Sequence, residues 1–457
     1  MKIILVSPSF NTHTVAPPLG LGYIASVLLE NGYQVKILDP SKGRLSLNDT
    51  INTIIKLKPD LIGISILTPR YNVSKKLISQ IKQNLPQTKV VVGGVHISAL
   101  PEASVKDLKA DYGVVGEGEY TLLELLDCLK QKKPINNILG LVYYNGKIIK
   151  INPKRPNIAN LDSIPFPAWQ LINPQEYPPR PHQFFFKKYP TAPIMTTRGC
   201  PHICAFCAAE SIWGRKYRMR TTKNIVDEIE LLVNKYGVKE IHIEDDNFTL
   251  IKERTMDICN EIIKRKLDIV WKCPNGVRAD TLDKELLEKM KESGCYQLAF
   301  GIESGNQAIL NRVNKRLNLN KLPQIIKNAK AVGLEVHGFF ILGLPGETYQ
   351  TAMETIKYSR SIGLDVANYA TLAYLPGSAL FAQWIKQKRT DSIDWSTINY
   401  YTPQATASLT SAQLKKIQKK ALLRFYLSPK VLINHLRKLK LKQIPYLPRA
   451  LFDYLIN

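Results

Sequence analysis

The sequence predicts an α/β protein with a doubly wound parallel sheet first, a partial (β/α)6 barrel second and a basic helical tail last. Three observations carry that expectation. Residues 1–130 alternate short β-branched runs with amphipathic stretches. Prolines then crowd the chain between Pro134 and Pro193 and break the alternation. From Ile194 it resumes for six more βα units, and a C-x3-C-x2-C triplet follows the first strand. The predicted boundaries are 1–133, 134–190, 191–377 and 378–457.

In the first region strands are expected at Ile3–Ser7, Gln34–Leu38, Leu61–Ser65, Lys89–Gly93 and Tyr112–Val115. Helices are expected at Leu21–Asn31, Leu47–Lys56, Val73–Asn84, Glu102–Lys109 and Thr121–Gln131. Right-handed crossovers make the sheet parallel, and a ligand then sits beyond the carboxyl ends of its strands. Those ends carry Ser9, Ser65, Thr68, Gly93, Gly94, Glu117 and Gly118, with His13 and His96 nearby. The Gly93-Gly94 pair lets backbone come close to something bulky. No G-x-G-x-x-G is present, which argues against a nicotinamide nucleotide.

The connection contains a hairpin over residues 141–149 with its turn at Asn145-Gly146, followed by a proline-rich, extended stretch. Barrel strands are expected at Ile194–Thr197, Glu240–Ile243, Ile269–Lys272, Gln297–Gly301, Glu335–Leu342 and Val366–Thr371. Candidate polar groups stand at their carboxyl ends: Glu244, Asp245, Asp246 and Asn247, then Glu303 and Ser304, then Gly343 and Glu347. Asp and Asn before Thr249 also suit a helix N-cap. Arg278 reads as a structural ion pair, and Cys273 as a thiol ending a barrel strand.

Cys200, Cys204 and Cys207 can wrap one face of a cubane and hold three of its four irons, whereas an electron carrier normally supplies four cysteines. A zinc site would want a fourth ligand, for which His202 is poorly placed, and buried structural thiols are the other alternative. Seven cysteines in 457 residues do not form a secreted disulfide framework, and no apolar run reaches the ~18–20 residues that span a bilayer. The opening residues are too quickly polar for a signal peptide, so a cytoplasmic protein is expected. The net charge is +25, and residues 381–457 hold 14 Lys and Arg against 3 Asp and Glu. That tail is either a packed helix with a basic outer face or a peripheral membrane contact.

The stretch MTTRGCPHICAFC resembles the cluster loop of the radical S-adenosylmethionine (radical SAM) superfamily, and the resemblance runs to about Gly377. PPLGLGYIA, GIS-x-x-T, VVGGVH and VVGEGE resemble the Rossmann-like cobalamin-binding domain that precedes many such enzymes. The resemblance implies a 4Fe-4S cluster on Cys200, Cys204 and Cys207, with S-adenosylmethionine on the open iron. It further implies contacts to that cofactor from Glu244–Asn247, Glu303, Ser304 and the backbone near Gly343. The cobalt-ligating D-x-H-x-x-G loop of the mutases is absent around His13, so cobalt without a protein imidazole is expected. The domain order resembles class B methyltransferases, which methylate an unactivated carbon through methylcobalamin. Cyclisation or rearrangement, of a porphyrin or a lipid ring, is the enzymatic alternative, and a non-catalytic iron–sulfur module is the other. Expected partners are a small-molecule or lipid substrate and an external electron donor. RNA modification of the methylthiotransferase kind needs further cysteines in the first domain, and none precedes Cys128, so nucleic acid is not an expected partner.

Overall fold

The computed structural model describes residues 1–8, 15–179, 186–387, 393–429 and 431–433. The chain divides into two compact units. The first holds Met1–Asn275, Glu292–Cys295 and Tyr374–Asn399; the second holds Gly276–Lys291, Tyr296–Ala373 and the chain from Tyr400.

In the first unit β1 (Lys2–Val6), β2 (Gln34–Leu38), β3 (Leu61–Ser65), β4 (Lys89–Gly93) and β5 (Tyr112–Val114) pair in parallel in the order β2-β1-β3-β4-β5. Three match their expected bounds, and β1 and β5 shift by a single residue. Residues 3–6 are completely buried, as a strand covered on both faces should be. The strand order reverses at β1, which opens the crevice at the carboxyl edge.

The hairpin forms where the Asn-Gly turn predicts it, as β6 (Leu141–Tyr144) and β7 (Ile149–Ile151). The Asn145 side-chain oxygen accepts the N–H groups of Lys147 and Ile148 and closes the turn. It does not stand apart in the connection: β6 pairs antiparallel with β5, and the sheet grows to seven strands. Fully buried Leu141 and Val142 cover what would be an open apolar edge. Phe381, Trp395 and Ile398 join Ile66, Tyr71 and Ile97 in one core, so the segment 374–399 is built into this unit.

The second sheet contains β8 (Thr191–Ile194), β11 (Glu240–Ile243), β12 (Val270–Val277), β13 (Cys295–Glu303), β14 (Glu335–Leu342) and β15 (Val366–Thr371), in the order β15-β14-β13-β12-β11-β8. Its first strand ends at Ile194 rather than Thr197. The Asp245 carboxylate takes the N–H groups of Thr196 and Thr197 at 2.6 and 3.1 Å, which removes them from the ladder. The next residues instead form β9 (Thr197–Arg198), antiparallel to β10 (Arg218–Met219). The helix after β11 starts at Lys252, without a side-chain cap, so the acids before Thr249 do not cap it. Cys273 lies inside β12 and is buried.

This short ladder sets Arg198 opposite Arg218. Both guanidinium groups donate to Glu117 Oε1 at 2.8 Å, and Arg198 also donates to Glu119 at 2.7 Å. Glu117 Oε2 accepts the Ile158 N–H at 2.7 Å. None of the four side chains is more than 5% exposed. Arg198 further packs against the rings of Tyr23 and Trp213, at 5.2 and 4.9 Å. Removing one charge from a buried, balanced set leaves another uncompensated. Glu117→Gln should therefore lower unfolding stability by about 3–5 kcal/mol in anaerobic denaturant titrations. Glu119→Gln should cost less, because Arg198 keeps Glu117.

Candidate functional site

The cysteine loop lies between β9 and β10. Its stems close at Gly199, whose φ is +91° and where a Cβ would fall 2.3 Å from the Lys216 carbonyl oxygen. The Cys207 N–H donates to the Cys204 carbonyl at 3.1 Å, and the Leu380 N–H donates to that of Ala205 at 2.9 Å. Cys200 and Cys204 are half-buried, Cys207 is exposed, and none of the three is in a disulfide. Desolvation pushes the Cys207 sulfur up to about 11, and Asp246, Cys204 and Cys200 add repulsion in the same direction. Among the described residues no three His, Cys, Asp or Glu side chains converge on one metal ion. A cubane makes a different demand, because each thiolate takes its own iron.

The residues after β11 have separate fates. Glu244 accepts Asn275 Nδ2 at 2.8 Å. Asp245 is spent on the loop entrance, where Arg254 also donates to the Thr196 carbonyl and hydroxyl at 3.0 and 2.7 Å. Burial raises the Asp245 pKa, against which Arg254 and the Thr196 bonds work. Asp246 is exposed, and desolvation with the charge of Asp245 pushes it up to about 6. Asn247 is 1% exposed, and neither polar atom of its amide has a partner among the described residues.

At the carboxyl edge of the first sheet, β3 and β4 bring Ser65, Thr68, Gly93 and Gly94 together. Gly94 has φ +95°, and a Cβ there would lie 3.0 Å from the Ile66 backbone; Gly93 has nothing closer than 3.8 Å. Thr68 is bonded to His96 Nδ1 at 3.2 Å, and His96 is enclosed by Tyr71 and Trp395 with ring centroids at 4.4 and 4.7 Å. Burial lowers the His96 pKa to about 4, so the ring is neutral. Gly118 precedes the helix Glu119–Gln131, and Glu117 belongs to the arginine network. Ser9 and His13 lie outside the described residues.

In the second unit Glu303 sits at a bulge of β13 with φ +69° and is paired to Lys315 at 2.8 Å. Ser304 is fully buried against the Thr355 hydroxyl at 3.2 Å. Gly343, at φ +88°, donates its N–H to Glu347, whose other carboxylate oxygen is buried without a partner. Arg278 is held by Asp280 and by the carbonyls of Lys315 and Arg316. Sequence reasoning missed Arg218, Arg254 and Trp395, because each acts through partners far along the chain.

Residues 194–359 match the Radical SAM superfamily and residues 10–126 the B12 binding domain. An uncharacterized methyltransferase of Pyrococcus horikoshii is 34% identical over 446 residues, covering 95% of this chain and 94% of its own. The chain belongs to the cobalamin-dependent radical SAM methyltransferase family. Cytidylyl-2-hydroxyethylphosphonate methyltransferase of Streptomyces wedmorensis is 32% identical over 448 residues, covering 84% of this chain and 82% of its own. A radical SAM methyltransferase of Kitasatospora setae, solved with cobalamin and a 4Fe-4S cluster, shares the fold at TM-score 0.72 and 18% identity, over 90% and 84% of the two chains. This protein is therefore an enzyme whose cofactors are a 4Fe-4S cluster, S-adenosylmethionine and cobalamin. The residues fit those groups. Among the described residues, Asn247 and Glu347 hold buried polar atoms in want of a partner.

Desolvation raises Glu347 from 4.5 to about 7. Between those values the unfolded chain releases this proton while the fold retains it, so this group's contribution to stability falls as pH rises. Glu347→Gln keeps an acceptor for Gly343 and carries no charge. Its stability relative to the parent should rise by about 1–3 kcal/mol between pH 5 and pH 8, read from thermal melts without S-adenosylmethionine.

Proposed function

We propose that this chain methylates an unactivated carbon of a small-molecule or lipid substrate, with an electron from an external donor. The observation that carries the reading is the three-cysteine loop, pinned on both stems, in the same unit as a buried amide that has no partner among the described residues. Bound there, the cluster and cobalamin supply reductive cleavage of S-adenosylmethionine and carriage of the methyl group. Cys200, Cys204 and Cys207 hold the cluster. Asp246 and Asn247 present a carboxylate and an amide to the amino acid part of S-adenosylmethionine, while Glu244 and Asp245 keep the surrounding backbone in place. In the second unit Glu303, Ser304 and Gly343 are the proposed contacts to the same cofactor. Ser65, Thr68, Gly93 and Gly94 receive the corrinoid, and the arginine network around Glu117 and Gly118 ties that edge to the loop. Seven cysteines, none of them in a disulfide, suit a reducing cytoplasm. Among the described residues no helix is long and apolar enough to cross a membrane.

Anaerobic protein loaded with iron, sulfide and hydroxocobalamin, given a strong reductant and S-adenosylmethionine, should yield both 5′-deoxyadenosine and S-adenosylhomocysteine. Cys204→Ala should yield no 5′-deoxyadenosine. Deoxyadenosine without S-adenosylhomocysteine in the cobalamin-loaded protein would favour cyclisation or rearrangement. Failure to bind the cluster would sink both readings. Asn247→Ala should keep its iron content but bind S-adenosylmethionine about tenfold more weakly, the value of one or two hydrogen bonds; unchanged affinity by calorimetry would remove Asn247 from the site.

A further inference from the structure

The helix Ser411–Tyr426 uses one side for packing. Leu414, Ile417, Ala421 and Phe425 are buried, the Phe425 ring lies 6.4 Å from that of Tyr369, and Gln418 donates to the Tyr369 carbonyl at 2.7 Å. Tyr426 reinforces the same side by donating to the Ala367 carbonyl at 3.0 Å. At about 100° per residue those four apolar positions span an arc of about 80°. Lys416, Lys419, Leu423 and Leu427 span a similar arc of about 80° on the opposite side. There Lys416 and Lys419 are exposed, Leu423 is 36% exposed and Leu427 is 65% exposed. Leu432 and Ile433, just beyond, are 41% and 48% exposed. No Asp or Glu occurs between Asp394 and Asp453.

Packing explains the first side and leaves the second without a role. Leucines on an outward face gain nothing in water, and the lysines interleaved with them have no acidic partner on their own helix. A nucleic acid would answer the lysines but not the leucines, which offer nothing to a phosphodiester. A bilayer with anionic headgroups answers both. The leucines enter the headgroup–acyl boundary, and the lysine stems lie along it with their ammonium groups at the phosphates. We propose that the Lys416–Lys419–Leu423–Leu427 face binds the surface of an anionic lipid bilayer.

The test is flotation of the full-length holoprotein, without oxygen, with vesicles of phosphatidylcholine alone or mixed with phosphatidylglycerol. Binding is expected only to the mixed vesicles and should weaken as salt rises. Reversing Lys416 and Lys419 to Glu should weaken it by about 25-fold or more, at about fivefold per lysine. Leu423→Ser with Leu427→Ser should remove the binding that survives high salt. Both variants should keep the parent's circular dichroism and its 5′-deoxyadenosine formation. Three outcomes would each overturn the proposal. One is no preference for phosphatidylglycerol. Another is vesicle binding indifferent to both variants. The last is a face that instead seats a single-stranded RNA probe or a second copy of the chain, shown by variants that lose RNA binding or a gel-filtration dimer while vesicle binding stays unchanged.

Discussion

Two buried arginines shared between two glutamates hold the mouth of the cysteine loop. The ladder that opens the loop pairs only Thr197–Arg198 with Arg218–Met219, too short to keep a register unaided. It also places like charges directly opposite each other, which is unfavourable on its own. Glu117 reverses the sign of that interaction by accepting from both guanidinium groups. Its second oxygen holds the Ile158 N–H, so the proline-rich connection is fastened at the same point. Such a network is an inefficient source of stability, since desolvating four charges offsets much of their attraction. What it adds is direction: the planar fork of Arg198 fits two carboxylates and two flanking rings in one orientation.

The neighbouring carboxylates show the same economy of roles. Asp245 gives one carboxylate oxygen to the Thr196 and Thr197 N–H groups and the other to the Thr196 hydroxyl, and Arg254 locks the Thr196 carbonyl from the other side. The loop thus leaves β8 along one path. Asn247, two residues on, is the opposite case. A buried amide with no partner costs about 1–3 kcal/mol for each unsatisfied group, a penalty that a polar ligand relieves.

The strands were legible in the sequence because runs such as residues 3–6 and Val90–Val92 are buried on both faces and read the same in any frame. The cysteine triplet was legible because its spacing is local. The role of Glu117 was not: its arginine partners are 81 and 101 residues away, and no spacing rule spans that distance. Read alone, its motif suggested a corrinoid contact; in the fold its carboxylate grips arginines. The Asn145-Gly146 turn announced a hairpin but carried no information about which strand the hairpin would join. Trp395 escaped for the same reason, since a basic, irregular stretch gives no sign that one indole completes a distant core.

Glu303 shows how far a single residue can be over-determined. A glutamate at φ +69° sits in a region that disfavours side chains, at a cost of about 1–3 kcal/mol. Lys315 holds it there, and Gly301 makes the pairing feasible: a Cβ at that position would lie 2.6 Å from the Glu303 oxygen and 2.9 Å from the Lys315 nitrogen. The β13 bulge between Gly301 and Glu303 is where the strand departs from regular alternation. Remove the lysine and the strained backbone loses its counterweight; add a methyl group at Gly301 and both side-chain ends must shift. The strained conformation is thus held by its surroundings, a buried ion pair and a side-chain-free neighbour, rather than by any local preference of the chain.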